Sequence, residues 1–301
     1  MKASVLILIH DEEVNHVEKC VYSIINQTYK NLEIVVIDDS NKVELSVFFE
    51  KLEKKHNINY IKYNQKISLP NARNLGISKC KGKYIFLQDS DDWSEPFRIQ
   101  TQLEYLENGI DICCGLTNYF SSSGKYIFSS SQSEDLIEIK KNEIIKNNHV
   151  AIGSVAFRKE IFNNNYNIFR QELKFCDDMD FVLRNSNKFK FFQINKKIYN
   201  YRFNKKSSTL NTNDELQPFL DFYILQEMYQ TQNFNIEDVK SKVISTKKKY
   251  INYKNKKQRI SYMIYSGNYK SAIMQADEIK LIFYSILLTV KVILLKLKNK
   301  L

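Results

Sequence analysis

The feature that most constrains the fold is a set of short apolar runs, each of which ends in acidic residues. Residues 4–9, 32–37 and 84–87 are rich in β-branched and aliphatic side chains and predict buried strands. Segments with helical apolar spacing separate them, at 14–25, at 43–55 and after Pro70. This alternation predicts an α/β fold in which parallel strands, joined by crossover helices, end at one edge of a sheet.

The third run ends in Asp89-Ser90-Asp91-Asp92, three carboxylates within four residues. Carboxylates this close raise each other's pKa unless a cation neutralises them. Oxygen ligands suit Mg²⁺ or Mn²⁺, and Mg²⁺ is commonly held by one or two carboxylates together with substrate phosphates. The alternative is an acidic helix start, with Asp92 or Ser94 as N-cap ahead of Pro96.

A second acidic pair, Asp38-Asp39, follows the strand at 32–37 and is expected in the same crevice. Between the two clusters, Arg73 falls in the first turns of the helix that begins near Pro70. Its planar fork of donors could grip a phosphate, which we favour, or form a structural pair with an aspartate.

A third acidic group, Asp177-Asp178-Met179-Asp180, opens a later helical segment. If Asp177 or Asp178 faces the cleft, partial burial and neighbouring negative charge would raise its pKa toward that of a general base. The alternative is an acidic first turn that the helix dipole stabilises.

The remaining segments predict a mixed arrangement followed by helices. We expect a helix at 95–106, strands at 110–114 and 152–157, a hairpin or mobile loop at 119–133, and closing strands at 189–192 and 198–203. From residue 214 the pattern becomes helical. These patterns together predict three regions: an α/β domain at 1–210, a helical domain at 211–280 and an apolar, basic C-terminal helix at 281–301.

Composition limits the class of protein. Five scattered cysteines among 301 residues show no metal-binding spacing and favour reduced thiols in the cytoplasm. The apolar N-terminal run is too short for a signal peptide. The net charge of +11 is concentrated at 240–259 and at the C-terminus, which indicates an anionic surface as partner or a solvated lysine-rich face. The stretch 281–297 is marginal for spanning a membrane and fits an interfacial or a docked helix.

Six motifs, in order, resemble those of the family 2 glycosyltransferases, which have the GT-A nucleotide-sugar fold. The resemblance covers residues 1 to about 210. It implies a mixed, mostly parallel sheet flanked by helices and an inverting, metal-dependent enzyme. The motifs are Ser4-Val5-Leu6-Ile7, Ser23-Ile24-Ile25-Asn26-Gln27-Thr28-Tyr29, Val36-Ile37-Asp38-Asp39-Ser40, Ala72-Arg73-Asn74-Leu75-Gly76-Ile77, Leu87-Gln88-Asp89-Ser90-Asp91-Asp92-Trp93 and Asp177-Asp178-Met179-Asp180.

The resemblance also assigns roles. Asp38, with Asp39 beside it, matches the carboxylate that recognises the nucleotide base, and Arg73 matches the residue that steadies the nucleotide or diphosphate. Asp89 and Asp91 match the family's D-x-D pair, two aspartates separated by one residue, at the metal. Within this pair Asp91 is the expected direct metal ligand, and Asp89 lies nearer the ribose. Further expected donor-binding residues are Ile9, His10, Glu12 and Ser90.

For catalysis, the resemblance implies that Asp178, in the Asp177-Asp178 pair, takes the proton from an acceptor hydroxyl. Several positions depart from the family pattern. His10-Asp11 replaces an aromatic–Asn pair, Ser40 replaces a glycine, and Gln88 precedes the D-x-D pair. Asn204 stands where many members have a histidine near the metal, so it is expected to be a weaker ligand.

The leading hypothesis is a cytoplasmic enzyme, peripheral on the inner face of the membrane, that uses Mn²⁺ or Mg²⁺. It would move a sugar from a nucleotide-sugar donor, with UDP expected, to a glycan or lipid-linked acceptor in surface polysaccharide synthesis. One alternative is a nucleic-acid-binding protein using residues 240–259, whose aromatic content is low for that role. The other is an inactive binding subunit with the same fold.

Overall fold

The computed structural model describes residues 3–146, 149–162, 165, 167–171 and 176–204, together with residues 229, 260, 264, 288 and 289. The chain divides into two compact units, Met1–Thr117 with Ser129–Tyr201, and Asn118–Phe128 with Arg202–Leu301. The predicted helical domain at 211–280 and helix at 281–301 lie outside the described residues, except at those last five positions, which are helical. The boundaries at 210 and 280 therefore stay predictions.

Within the described residues, ten strands form one mixed sheet flanked by six α-helices and two short 3-10 helices. The strands are β1 (Ala3–Ile9), β2 (Leu32–Asp38), β3 (Ile58–Lys62), β4 (Tyr84–Asp89), β5 (Trp93–Ser94), β6 (Ile112–Phe120), β7 (Tyr126–Ser129), β8 (Leu136–Glu138), β9 (Ala156–Arg158) and β10 (Phe191–Arg202). The helices are α1 (Val14–Ile25), α2 (Val43–Glu53), α3 (Leu69–Lys79), α4 (Arg98–Glu107), α5 (Lys141–Lys146) and α6 (Asp177–Asn185), and the 3-10 helices are Ile152–Ser154 and Lys159–Phe162.

The strand order is β3-β2-β1-β4-β9-β6-β10-β5, with β7 on β6 and β8 on β10. The pairs β3–β2, β2–β1 and β1–β4 are parallel, whereas β9 and β5 join their neighbours antiparallel. The predicted mostly parallel, mixed α/β sheet is therefore confirmed. No helix in the described part of the chain has the length and apolar character to cross a membrane.

Strand β1 lies at the centre of the parallel half and is buried on both faces. Val5, Ile7 and Ile9 join the core that includes the apolar faces of α1 and α2, and each such buried side chain stabilises the fold by about 1.5–3 kcal/mol. On the opposite face α3 packs closely, since a β-carbon at Gly76 would lie 2.9 Å from Leu6 Cδ2. An added β-carbon at this position would displace the Leu6 side chain.

Three local predictions were wrong. The predicted strand at 152–157 is a 3-10 helix, Ile152–Ser154, followed by β9, because Gly153 brings its backbone against neighbouring side chains. The two closing strands are one continuous strand, β10, which pairs with β8 at residues 192–194 and with β5 at residues 199–200. The alternative interpretation of this cluster, an acidic helix start with Asp92 or Ser94 as N-cap, was also wrong: Trp93–Ser94 pairs with β10, and α4 begins at Arg98 without an acid in its first turn.

The hairpin expected at 119–133 is present as β6 and β7. The five cysteines are all free and buried, which agrees with reduced thiols.

Candidate active site

The acidic ends of the parallel strands lie along one edge of the sheet. The register places Asp38, the last residue of β2, beside Ile9, and Asp89, the last residue of β4, beside Leu8. Asp38 and Asp89 are thus two strand spacings apart across β1, about 10 Å. The prediction that both acidic clusters share one edge is confirmed, since open α/β sheets place ligand sites at carboxyl ends of strands.

Asp38 is held entirely by the protein. Its side chain has no exposed surface. Oδ1 accepts a hydrogen bond from the Ser40 amide at 2.7 Å, and Oδ2 accepts bonds from Tyr60 Oη at 2.6 Å and Lys62 Nζ at 3.0 Å. This carboxylate is fully satisfied and fixes the turn after β2. Its predicted contact with a nucleotide base stays a prediction.

Asp39 lies closer to the surface of the same turn. Its amide donates to the Ile9 carbonyl at 3.0 Å, and its carboxylate accepts bonds from His10 Nδ1 at 2.6 Å and from the Ile67 amide at 2.7 Å. The His10 side chain is 54% exposed and is oriented by its bond to Asp39. Its expected role in binding the donor stays a prediction.

Glu12 and Ser90 connect the first loop with the second acidic cluster. Glu12 Oε2 accepts a bond from the His10 amide at 2.7 Å. Burial raises the pKa of Glu12, and the backbone amide of His10 and the nearby Ser90 hydroxyl act in the opposite direction. Ser90 is buried, and its Oγ has no partner at ordinary hydrogen-bond geometry. A bound group could therefore satisfy this hydroxyl.

Arg73 projects from α3 and links two of the acidic groups. Its guanidinium is almost fully buried, donates to Asp177 Oδ2, and lies 4.0 Å from Asp89 Oδ1. Burial works to lower the pKa of Arg73, but the charges of Asp177, Asp89 and Asp178 outweigh it and raise the pKa. Arg73 therefore forms a structural pair with an aspartate, Asp177, as the alternative held, and its favoured role in gripping a phosphate stays a prediction.

Asp178 begins α6 beside Asp177 and remains half-buried. Burial and the adjacent charge of Asp177 raise the pKa of Asp178 to about 6, against the opposing effects of Arg73 and of the Met179 amide. A carboxylate with a pKa near neutrality accepts a proton more effectively than an ordinary aspartate. The first turn of α6 is acidic, as the alternative interpretation held. Asp178 is therefore both part of an acidic helix start and a candidate general base.

Asp89, Ser90, Asp91 and Asp92 form a tight turn at the end of β4, closed by a hydrogen bond of 3.2 Å from the Asp92 amide to the Asp89 carbonyl. The Asp89 side chain is 36% exposed, and burial of the rest raises its pKa against the effect of Arg73. Asp91 is half-buried.

These residues fit a divalent cation only in combination with a substrate. Within the described residues, no three His, Cys, Asp or Glu side chains converge as a complete metal site. Mg²⁺ usually keeps several waters and is bound by one or two carboxylates plus phosphates. The accessible carboxylate of Asp89 and the buried Ser90 hydroxyl suit that arrangement. Asn204, the third predicted metal ligand, belongs to the second unit, and its role stays a prediction.

Buried polar side chains bond to the strand residues on both sides of the Asp89–Asp92 turn. Arg98, the first residue of α4, is fully buried. It donates to Gln88 Oε1 and Ser94 Oγ, both at 2.9 Å, and to the Leu87 carbonyl at 2.8 Å. Gln88, a departure from the family pattern, is therefore the acceptor for this guanidinium.

Tyr199 of β10 completes this set of buried polar side chains. Its hydroxyl donates to Asp92 Oδ2 at 2.8 Å and accepts from the Asp89 amide at 3.3 Å. Its ring centroid lies 5.2 Å from the Arg98 guanidinium. No local sequence signal marks Arg98, Tyr199 or Gly153 as site residues, because only the tertiary fold brings them to the turn.

Comparison with known proteins agrees with this arrangement. Residues 4–165 match the family model described as Glycosyl transferase family 2. The chain is 38% identical over 132 residues to "Glycosyltransferase GlyA" of Streptococcus pneumoniae, covering 42% of this chain and 18% of that protein. It is 27% identical over 234 residues to an uncharacterized glycosyltransferase of Rickettsia bellii, covering 76% and 33%. The chain thus spans a third or less of the length of these relatives.

Among solved structures, S. aureus TarS 1-349 in complex with UDP superposes with a TM-score of 0.60 at 17% identity, covering 96% of this chain and 88% of that one. The same protein in complex with UDP-GlcNAc gives a TM-score of 0.63 at 15% identity with the same coverage. At such identities the likeness shows a shared GT-A fold. Since the family match extends over more than half of the sequence, the chain belongs to the family 2 glycosyltransferases.

Proposed function

We propose that this protein is an inverting, metal-dependent glycosyltransferase that uses a nucleotide-sugar donor, with UDP as the expected nucleotide. One observation carries the proposal. Arg73 pairs with Asp177, the neighbour of the candidate general base, and the same guanidinium lies near Asp89 in the D-x-D turn. A candidate proton acceptor and a candidate diphosphate site are thereby brought together. The structures of TarS in complex with UDP and with UDP-GlcNAc support the choice of donor class.

In the proposed reaction, the acceptor hydroxyl attacks the anomeric carbon of the donor in a single displacement. Asp178 takes the hydroxyl proton on the face opposite the leaving diphosphate, which inverts the configuration. Arg73 donates to the departing diphosphate, and Asp177 holds the guanidinium in place. A divalent cation bound by Asp91 and Asp89 would supply additional positive charge to the diphosphate.

The proton transfer follows from the site electrostatics. At neutral pH an Asp178 with a pKa of about 6 is mostly ionised and available as a base. Its transfer partner, the sugar hydroxyl, becomes acidic only as the bond to the anomeric carbon forms, so the proton moves in the transition state. We expect kcat/KM to rise with pH through about 6 and then to level off.

For the acceptor and the location, we propose a glycan or lipid-linked hydroxyl in surface polysaccharide synthesis, at the inner face of the membrane. The basic residues at 240–259 and near the C-terminus support an anionic membrane surface as partner. These segments lie outside the described residues. The same segment supports the competing hypothesis of nucleic-acid binding, which the ordered acidic site disfavours.

The deciding experiment is a panel of nucleotide sugars assayed for release of free nucleotide, with Mn²⁺, with Mg²⁺ and with EDTA. We expect metal-dependent turnover of at least one UDP-sugar, which Asp91→Ala and Asp178→Asn abolish. Asp135→Asn, an exposed aspartate on another part of the unit, serves as the matched control and should keep full activity. Full activity in Asp91→Ala would refute the proposal. Absence of any UDP-induced thermal shift with Mn²⁺ would favour the inactive binding subunit.

A further inference from the structure

The hydroxyl of Tyr199 connects both ends of the turn that carries Asp91. It donates to Asp92 Oδ2 at 2.8 Å, lies 3.4 Å from Asp89 Oδ2, and accepts a bond from the Asp89 amide at 3.3 Å. A phenol has one hydrogen to donate, so the shorter contact identifies Asp92 as its acceptor. The Asp89 carboxylate makes the longer of the two contacts through Oδ2.

The tyrosine itself is held from two sides. Its ring is fully buried, and the Arg98 guanidinium lies 5.2 Å from the ring centroid. Arg98 in turn bonds to Leu87 and Gln88 in β4 and to Ser94 in β5. The charged guanidinium therefore ties the tyrosine to the two strands that flank the turn.

On the other side, Gly153 lies directly against the hydroxyl. A β-carbon at this position would overlap the Tyr199 oxygen and would lie 2.6 Å from Asp89 Oδ2. Real β-carbons do not approach heavy atoms this closely, so the 3-10 helix Ile152–Ser154 accommodates only glycine here without displacing one of the two groups. Gly153 leaves Tyr199 little freedom to move away from the turn.

We propose that Tyr199 is a positioning residue that fixes the Asp89–Asp92 turn, and with it Asp91, in the geometry that receives the metal-bound diphosphate of the donor. This inference rests on the proposed function. Tyr199 acts through the carboxylates of Asp89 and Asp92 and touches neither substrate nor reacting atoms. Mutation of a group that orients metal ligands in this way typically lowers metal affinity or activity by about 10–100-fold.

The test is the affinity for UDP, measured by calorimetry with Mn²⁺ and again with EDTA, in wild-type protein and in Tyr199→Phe. The phenylalanine keeps the ring on Arg98 and removes only the hydroxyl. We expect the affinity for UDP with Mn²⁺ to fall about tenfold, whereas the affinity in EDTA stays at the wild-type value. Tyr84→Phe, a buried tyrosine at the opposite end of β4, is the matched control and should change neither affinity.

Gly153→Ala provides a second variant, because the added methyl pushes the hydroxyl or Asp89 aside. We expect a loss of metal-dependent affinity at least as large as that of Tyr199→Phe. The inference is overturned if Tyr199→Phe binds UDP with Mn²⁺ as tightly as wild type does. It is also overturned if the affinity falls equally with and without the metal, which would indicate a general structural defect. If wild-type protein shows no metal-dependent UDP binding, the proposed function fails and this inference with it.

Discussion

Replacing Asp178 by asparagine should make the protein more stable while it removes the proposed catalytic base. Burial and the neighbouring Asp177 raise the pKa of Asp178 from 3.8 to about 6. An acid with a raised pKa favours the folded state while it is protonated. That contribution is fully present below the unfolded pKa of about 4 and is lost as the pH rises through about 6.

The size of the effect follows from the shift. About two pKa units correspond to about 3 kcal/mol at the limits of the titration. In an accessible window from about pH 4.5 to about pH 7.5, wild type should lose about 2 kcal/mol that Asp178→Asn keeps. The difference in unfolding free energy between variant and wild type should therefore grow by that amount across the window, whatever constant offset the amide introduces.

The assay is urea unfolding at several pH values, followed by far-UV circular dichroism and by fluorescence of Trp93, the single tryptophan. Asp135→Asn, at an exposed site, is the control for the loss of one carboxylate. A difference for Asp178→Asn that changes no more with pH than that of the control would refute the claim that burial and Asp177 raise the pKa of Asp178. Loss of activity in a variant of higher stability would identify Asp178 as a functional residue.

Three further predictions follow from the same contacts. Asp177→Asn should destabilise the protein by about 3–5 kcal/mol in urea unfolding, because it leaves the buried Arg73 guanidinium without its carboxylate; stability equal to wild type would contradict this pairing. Arg73→Lys should keep the charge but weaken UDP binding about tenfold in calorimetry, since an ammonium cannot reproduce the planar fork; unchanged affinity would exclude a role at the diphosphate. Gly76→Ala should lower the free energy of unfolding in urea by about 1–3 kcal/mol, because the added methyl group overlaps Leu6. Leu6→Val in the same chain should restore part of that stability.

The sequence was sufficient to predict the parallel half of the sheet and the edge at which its acids meet. Strands β1, β2 and β4 are continuous apolar runs, and the position of Asp38 and Asp89 at the last residue of β2 and β4 follows directly from where those runs end. The helical position of Arg73 was likewise encoded locally, by Pro70 at the start of α3.

Contacts between distant segments could not be predicted in this way. Nothing near Tyr199 indicates that it reaches a turn 107 residues away, and Arg98 reads locally as an ordinary helix residue. The alternative of a helix start at Asp92 was wrong for the same reason, because pairing of Trp93–Ser94 with β10 overrides the local preference for a cap. The Asp38 carboxylate accepts hydrogen bonds from Ser40, Tyr60 and Lys62. The bonds from Tyr60 and Lys62 also depend on the register of β3.

The pairing of β5 with β10 limits how this protein can be shortened. The family match ends at residue 165, yet Asp177, Asp178 and Tyr199 all follow that point in the chain. A fragment cut there would keep Asp38, Asp89 and Asp91 but lose the strand that pairs with Trp93 and Ser94. Its sheet would present unpaired hydrogen-bonding edges, which promote association between molecules. Shortened versions of this protein should therefore extend at least through β10.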